Sequence, residues 1–333
     1  MTTNGGTVTF TSSDQLYIIP LYQSGYTLDS ITANNGTVTS DTENGYGYYY
    51  YTPSANSNNT VTLNGIPLTS DTTNTTLTTM QDLATTSCPS IPTAVRDGRD
   101  NAVYYVQRMI DGKCWMLENL RLDLTDESVI SGLSTSNTHV DSGSLNSLVN
   151  GGGTTTDHYA TAGLTKSQWT SGSSYSAPLV NSNYKTNTVT GYGPGRNYIG
   201  VYYNYCAASA GSYCINSSGD DMGTAEYDIC PANWQMPTGG SAGQYQALAT
   251  AFTGTTGNFS GTNATAFRYY PSTPLSGNLN NGTANNQGSC GVFWSATRYS
   301  ASYMYGLYVD SSLVYPQVSN SRGNGYSVRC VRQ

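Results

Sequence analysis

Apolar and polar positions alternate in short runs along the first quarter of the chain. The runs TVTFTS, QLYIIPLY, YTLDSITA, GTVTSDT, GYGYYYYTP and TVTLNGIPL lie between residues 7 and 68. Period-two alternation rich in Thr, Val, Ile and Tyr predicts strands. Asn35-Gly36, Asn44-Gly45 and Asn64-Gly65 punctuate the runs, and Asn-Gly supplies the positive φ of tight turns. Short strands at this spacing predict a small sandwich. The tyrosine run Tyr48 to Tyr51 reads as a strand with rings on both faces. Residues 70–80, SDTTNTTLTTM, read as a linker. A β-rich N-terminal domain is therefore expected over 1–76, and a second domain over 77–333.

The pattern changes after the linker. Residues 95–124 hold two predicted strands around a turn at Asp111-Gly112, then an apolar stretch at Trp115. Residues 131–190 are rich in Gly, Ser, Thr and Asn, with one short helix expected near TKSQW. Polar insertions of this length are functional or mobile. A 3.6-residue period is clearest at Tyr245, Leu248, Ala249 and Phe252, spaced i, i+3, i+4, i+7. It predicts a helix capped by Ser241 with one face on a sheet.

The C-terminal stretch RYSASYMYGLYVDSSLVYPQVSNSRGNGY, residues 298–326, predicts paired strands. Alternation turns Met304 inward and leaves Tyr303 and Tyr305 outward. Leu307 and Val309 form a further inward set, with Tyr308 and Asp310 outward. Met304 and Leu307 are an odd number apart, so one phase slip is expected, at a bulge on Gly306. Val314 and Val318 anchor the return strand, leaving Tyr315, Gln317 and Ser319 outward. Pro316 confines that strand to an edge or an irregular segment.

Composition sharpens this picture. Charged residues are 10% of 333, the net charge is −7, and there are 29 Tyr. Tyr and Trp supply the buried area that separates this chain from a disordered polar one. An acidic balance without a basic patch excludes nucleic acid as partner. Tyr with Ser, Asn and Gly is the composition of an antibody paratope: large rigid rings, with small adaptable polar groups between them. The candidate ligand-binding residues are Arg298, Tyr299, Tyr303, Tyr305, Tyr308, Asp310, Ser312, Tyr315, Gln317, Ser319, Asn320, Ser321, Asn324 and Tyr326. Arg298 adds an anchoring charge. The expected partner is a protein or other macromolecule on another cell or in the environment.

Seven cysteines are present and none is in a CxxC pair, so disulfides in an oxidising compartment are expected. Cys206 with Cys214 would close a short loop, contributing roughly 2–3 kcal/mol. Cys290 with Cys330 would close a longer one, contributing about 4 kcal/mol. Connectivity stays open at this level, and the odd count leaves one thiol over. The opening MTTNGGTVTF has no leader pattern, and no apolar run reaches the ~20 residues of a membrane span. Export and this N-terminus are reconciled if a leader or anchor has been trimmed and Met1 added. An extracellular or cell-surface location follows.

The remaining chemistry is sparse. His139 and His158 read as solvated loop histidines. Asp220, Asp221, Glu226 and Asp228 match no EF-hand spacing and read as a solvated acidic turn. Phosphate loops, nucleophile elbows and metal-spaced His clusters do not appear. A non-enzymatic protein without cofactor or metal is expected.

At DGKCWMLENLRL, DICPANWQMPTGG, GVFWSATRYS and GYSVRCVR the sequence resembles the Fibrobacter succinogenes major paralogous domain family, over roughly residues 88–333. The resemblance implies an α+β, C-type-lectin-like domain with two helices and a small antiparallel sheet. It implies Trp234 and Trp294 in the core and a structural Arg329 beside the last strand. The calcium-and-sugar motifs of true C-type lectins are absent. The chain also resembles the variable proteins of diversity-generating retroelements, whose adenine-directed mutagenesis turns Asn codons into Tyr, Ser, Asp and Gly ahead of a fixed SVRC-type strand. That implies a variable segment at 294–326 on a constant scaffold. A cell-envelope or pilus-associated protein using the same face for subunit contacts is the alternative.

Overall fold

A computed structural model describes residues 7–9, 16–18, 26–41, 48–54, 58–67, 77–90, 92–150, 179–189, 197–211, 223–280 and 282–333. The expected helix near TKSQW, His158, Cys214, Asp220, Asp221, Asn44-Gly45 and most of the linker lie outside these residues.

Six N-terminal strands form as the alternation predicts. They are β1 (Thr7–Thr9), β2 (Leu16–Ile18), β3 (Tyr26–Ala33), β4 (Gly36–Asp41), β5 (Tyr48–Pro53) and β6 (Asn58–Pro67). They make two three-stranded antiparallel sheets, β1-β6-β3 and β2-β5-β4. Asn35, at φ 52°, makes the turn between β3 and β4, so the chain there changes sheets. Tyr51 is fully buried and its hydroxyl donates to the Asn34 carbonyl at 2.7 Å. Its ring occupies the space a Cβ on Gly36 would need, with the nearest ring atom at 2.5 Å. Asn64-Gly65 is not a turn. Both residues lie inside β6 opposite a register shift between Leu28 and Ser30, so the glycine marks an irregular strand.

From residue 77 onward the described structure is α+β, with mostly antiparallel sheets and few helices. β7 (Thr93–Arg96), β8 (Val103–Arg108), β9 (Cys114–Met116), β12 (Trp234–Gln235) and β19 (Val331–Arg332) form a five-stranded sheet in the order β12-β19-β9-β8-β7. The turn between β8 and β9 falls at Asp111-Gly112, where Gly112 has φ 78° and the Asp111 carboxylate accepts the Lys113 amide. β13 (Phe259–Ser260), β16 (Cys290–Arg298), β17 (Tyr303–Asp310) and β18 (Leu313–Ser321) form a four-stranded sheet, β13-β18-β17-β16. The segment before β19 stitches the two together. Ser327 exchanges backbone bonds with β16, and the Val328 and Cys330 carbonyls accept from Leu120 and Met116. Short pairs β10 (Val180–Asn181) with β11 (Tyr202–Tyr203), and β14 (Asn278–Asn280) with β15 (Thr283–Asn285), complete the strands.

Helices cover both faces of this layer. On one side lie α1 (Glu127–Ser131), α2 (Ser142–Asn150) and α3 (Tyr205–Ala208); on the other, α4 (Gln244–Thr253) and α5 (Gly261–Tyr269). Strand alternation therefore feeds two cores. Tyr104, Val106, Val292, Trp294 and Met304 join the first, while Val103, Tyr105, Phe293, Leu307, Val309 and Val314 join the second. Helix α4 buries Tyr245, Leu248 and Ala249 as its period requires. Ser241 does not cap it. Thr238 takes that role, accepting the Gln244 amide on its hydroxyl at 3.0 Å while Gln244 accepts the Thr238 amide at 2.9 Å.

Two polar networks hold the frame. Arg329 is 2% exposed; it donates to Asn119 Oδ1 at 3.1 Å and to the Pro271 and Ser272 carbonyls, and its guanidinium lies 5.0 Å above the Phe293 ring. Burial lowers its pKa to about 10, against the opposing pull of Tyr245 and the Glu118 carboxylate. Arg99 makes a buried fork onto Asp97 and donates to the Ile229 carbonyl.

The disulfides differ from one expected pairing. Cys88 bonds Cys114, and Cys230 bonds Cys330, with Cα separations of 5.7 and 5.9 Å. Cys206 is also disulfide-bonded. Cys290 is a buried free thiol, so the Cys290–Cys330 pair does not form. Strand register is the reason. Cys290 lies at the end of β16 opposite Asp310, whereas Cys330 precedes β19, whose partner β12 brings the 228–236 loop alongside it. The disulfides fit an oxidising compartment. Among the described residues no helix is long and apolar enough to cross a membrane.

Candidate functional site

The hairpin of β17 and β18 follows from its sequence with one change of logic. Met304 is fully buried, and Leu307 and Val309 are buried too. They do not share a face: Met304 packs in the first core, Leu307 and Val309 in the second. No phase slip is therefore needed. Gly306 pairs regularly with Trp294 and Val318, and the bulges sit beside it, in β16 between Trp294 and Arg298 and in β18 between Tyr315 and Val318. Gly306 is needed for close approach, because a Cβ there would lie 2.6 Å from the Phe293 carbonyl oxygen. Pro316 falls in the β18 bulge, beyond Leu313 and Val314, the two residues that β13 covers.

Both faces being partly roofed, the candidate residues divide. Tyr299 and Tyr303 are the exposed rings, each at 47%. Tyr305 is half-buried and meets Tyr299 edge-on, centroids 5.2 Å apart and planes at 81°. Ser319 and Ser321 stand opposite Tyr305 and Tyr303 across the ladder. Ser319 is exposed and Ser321 half-buried. This group gathers at the β16–β17 connection.

A second group sits toward the other end. Tyr308 and Tyr315 are cross-strand partners with centroids 5.7 Å apart, both half-buried. Tyr308 packs against the first core rather than facing solvent, and its hydroxyl donates to Asp310 at 3.0 Å. Desolvation, then the Asp310 carboxylate, hold the Tyr308 phenol above its ordinary pKa. Asp310 is committed to the turn, accepting the Ser312 and Leu313 amides. Its pKa is lowered because these bonds outweigh its desolvation. Ser312 is exposed at that turn. Gln317 donates to Gln246 of α4 at 2.7 Å, so it braces the helix. Asn320 is half-buried, its Nδ2 set over Gly306.

Three candidates are interior. Arg298 is 3% exposed, Asn324 8% and Tyr326 5%. Tyr326 packs edge-on against Trp294 at 4.5 Å and accepts from Asn324 Nδ2 at 2.8 Å. These residues support the scaffold, and an anchoring charge from Arg298 is not available at the surface. The sequence could not separate them because the Ser, Gly and Tyr around them are the same types that surround the exposed positions.

Sequence reasoning missed the floor of the first group, the loop Thr238–Gly243. A Cβ on Gly239 would lie 2.4 Å from Tyr305 Cβ and from Ser295 Oγ, and the Tyr305 ring passes 3.5 Å from the Cβ position of Gly240. The only signal was the Gly-Gly pair, which reads equally well as a helix-leading turn.

Asp228 is not solvated, and His139 beside it is half-buried. Asp228 is fully buried and accepts the Cys230 and Met236 amides, with His139 Nδ1 3.2 Å away. Its oxygens are consumed by closing their own loop. Among the described residues no group of His, Cys, Asp and Glu side chains is placed to hold a metal ion.

The chain matches no family model, no curated protein and no solved structure. Its functional reading therefore rests on the geometry of this hairpin.

Proposed function

We propose that the protein is a secreted or surface-displayed binding protein. Its recognition face is the β16–β17 connection with the adjoining strands, carried on a C-type-lectin-like scaffold of the kind that retroelements diversify. The observation that carries the reading is the contrast within one strand. Tyr303 is 47% exposed while Met304, Leu307 and Val309 beside it are at 0–2%. The inward side chains fix the frame, and the outward ones change at little cost to stability. Exposed Tyr pairs rigid area with a hydroxyl, and the serines around it leave room for a partner surface. About fourteen candidate positions already fell below the 20–30 residues of a standard protein interface, and fewer are outward. Either the ligand is engaged through a compact epitope, or the polar insertion at 131–190 adds contacts. The protein acts without catalysis or cofactor.

The test is the double substitution Tyr299→Ala/Tyr303→Ala, assayed for capture of intact cells and extracellular matrix from the source habitat. Retained unfolding midpoint and oligomeric state with capture lost by tenfold or more supports recognition. Loss of self-assembly with the fold intact would instead favour the envelope or pilus role.

A further inference from the structure

The exposed ring of Tyr299 leans on Tyr305. Tyr305 in turn lies against Gly239 and Gly240. Four contacts immobilise that loop. Thr238 and Gln244 exchange amide and side-chain bonds, Gly239 N–H donates to Thr297 Oγ1 at 3.0 Å, the Pro237 carbonyl accepts the Ala296 amide at 2.8 Å, and Gly243 sits so close that a Cβ on it would lie 2.5 Å from Gly239 carbon. The loop is thus pinned to the β16 bulge on one side and to α4 on the other. Ser295 closes the bulge by donating to the Tyr305 carbonyl at 2.8 Å.

We infer that the Thr238–Gly243 loop is a positioning element for the exposed tyrosines, with Gly239 and Gly240 forming a seat that fixes Tyr305 and, through it, Tyr299. This rests on the recognition role of the hairpin and adds to it a fixed half, drawn from a distant part of the chain. A pair of rings held in place before contact loses less side-chain freedom when a ligand arrives. Tyr303 makes no ring contact with this pair and can vary without disturbing it. The geometry explains why position 239 has no side chain: its backbone φ is not in the left-handed region, so what bars a Cβ is the Tyr305 and Ser295 atoms in its way.

Gly239→Ala tests the seat without any ligand. In protein carrying ring-labelled tyrosine, the wild type should show a cross-relaxation contact between the Tyr299 and Tyr305 rings. The variant should lose it, and enzymatic iodination of Tyr299, followed by peptide mass spectrometry, should speed up by roughly 2- to 10-fold, the factor expected for releasing one aromatic pair. Iodination of Tyr303 should stay within twofold. An unchanged contact and unchanged Tyr299 rate in a folded variant would overturn the inference. If Gly239→Ala does not fold, Tyr305→Leu serves instead, because removing the intermediate ring should raise the Tyr299 rate alone; an unaltered rate there also overturns it. Since no partner is used, this result is independent of whether the hairpin captures one.

Discussion

Removing the Cys230–Cys330 bond tests the frame directly. It spans 100 residues. On the chain-entropy account a loop of about 100 residues restricts the unfolded ensemble by about 4.7 kcal/mol at 25 °C. The double substitution Cys230→Ala/Cys330→Ala should therefore cost about 4–5 kcal/mol, plus a smaller packing loss because both sulfurs are buried. Cys290→Ala should behave differently. Its thiol closes no loop, so only the packing of one sulfur and its contact with Tyr308 are lost, about 1–2 kcal/mol. Urea unfolding monitored by tryptophan fluorescence gives both values, and alkylation with mass spectrometry before and after unfolding counts free thiols. The contrast is diagnostic. If Cys290→Ala cost as much as the double variant, or exposed a new thiol at Cys330, the register argument that pairs Cys330 with Cys230 would be wrong.

Arg329→Met should destabilise by about 3 kcal/mol or more, because Asn119 and the Pro271 and Ser272 carbonyls lose charge-assisted bonds at a buried site; thermal unfolding measures it. Asp100 has one oxygen bonded to the Ala102 amide and the other unpaired. Burial, reinforced by the Asp97 charge, raises its pKa to about 6. A carboxyl raised in the fold binds more protons there than in the unfolded chain, so it weakens the fold above pH 6 and not below pH 4. Asp100→Asn should accordingly stabilise by about 2 kcal/mol at pH 8, allowing for water at a partly exposed side chain, and the gain should vanish at pH 4. An equal gain at both pH values would point to packing instead.

Much of the architecture was legible because it is local. The Asp111-Gly112 hairpin is set by a glycine that takes positive φ, and α4 by four apolar residues on one stripe. The N-terminal strands were legible for the same reason. Facing was only half legible. Met304 and Leu307 looked out of phase because alternation assumes one buried side, whereas this sheet has a core on each. Disulfide partners depend on which strands become neighbours, which local spacing does not encode. The ligand face showed its composition but not its limits. Asn324 and Tyr326 have the same residue types as the exposed positions, and only the packing of Trp294 decides that they are interior. The glycine seat escaped notice because its partner, Tyr305, lies more than sixty residues away.

The contact between residues 80–85 and β19 has a practical use. The Gln333 carbonyl accepts the Thr85 hydroxyl at 3.0 Å, and Trp234, which pairs with Arg332 across the β12–β19 ladder, donates to the Met80 carbonyl. Residues 80–85 and β19 with Gln333 therefore meet at one spot. A short flexible tether can span that spot, so a circular permutant of residues 77–333 with new ends opened in an exposed turn is expected to keep the fold.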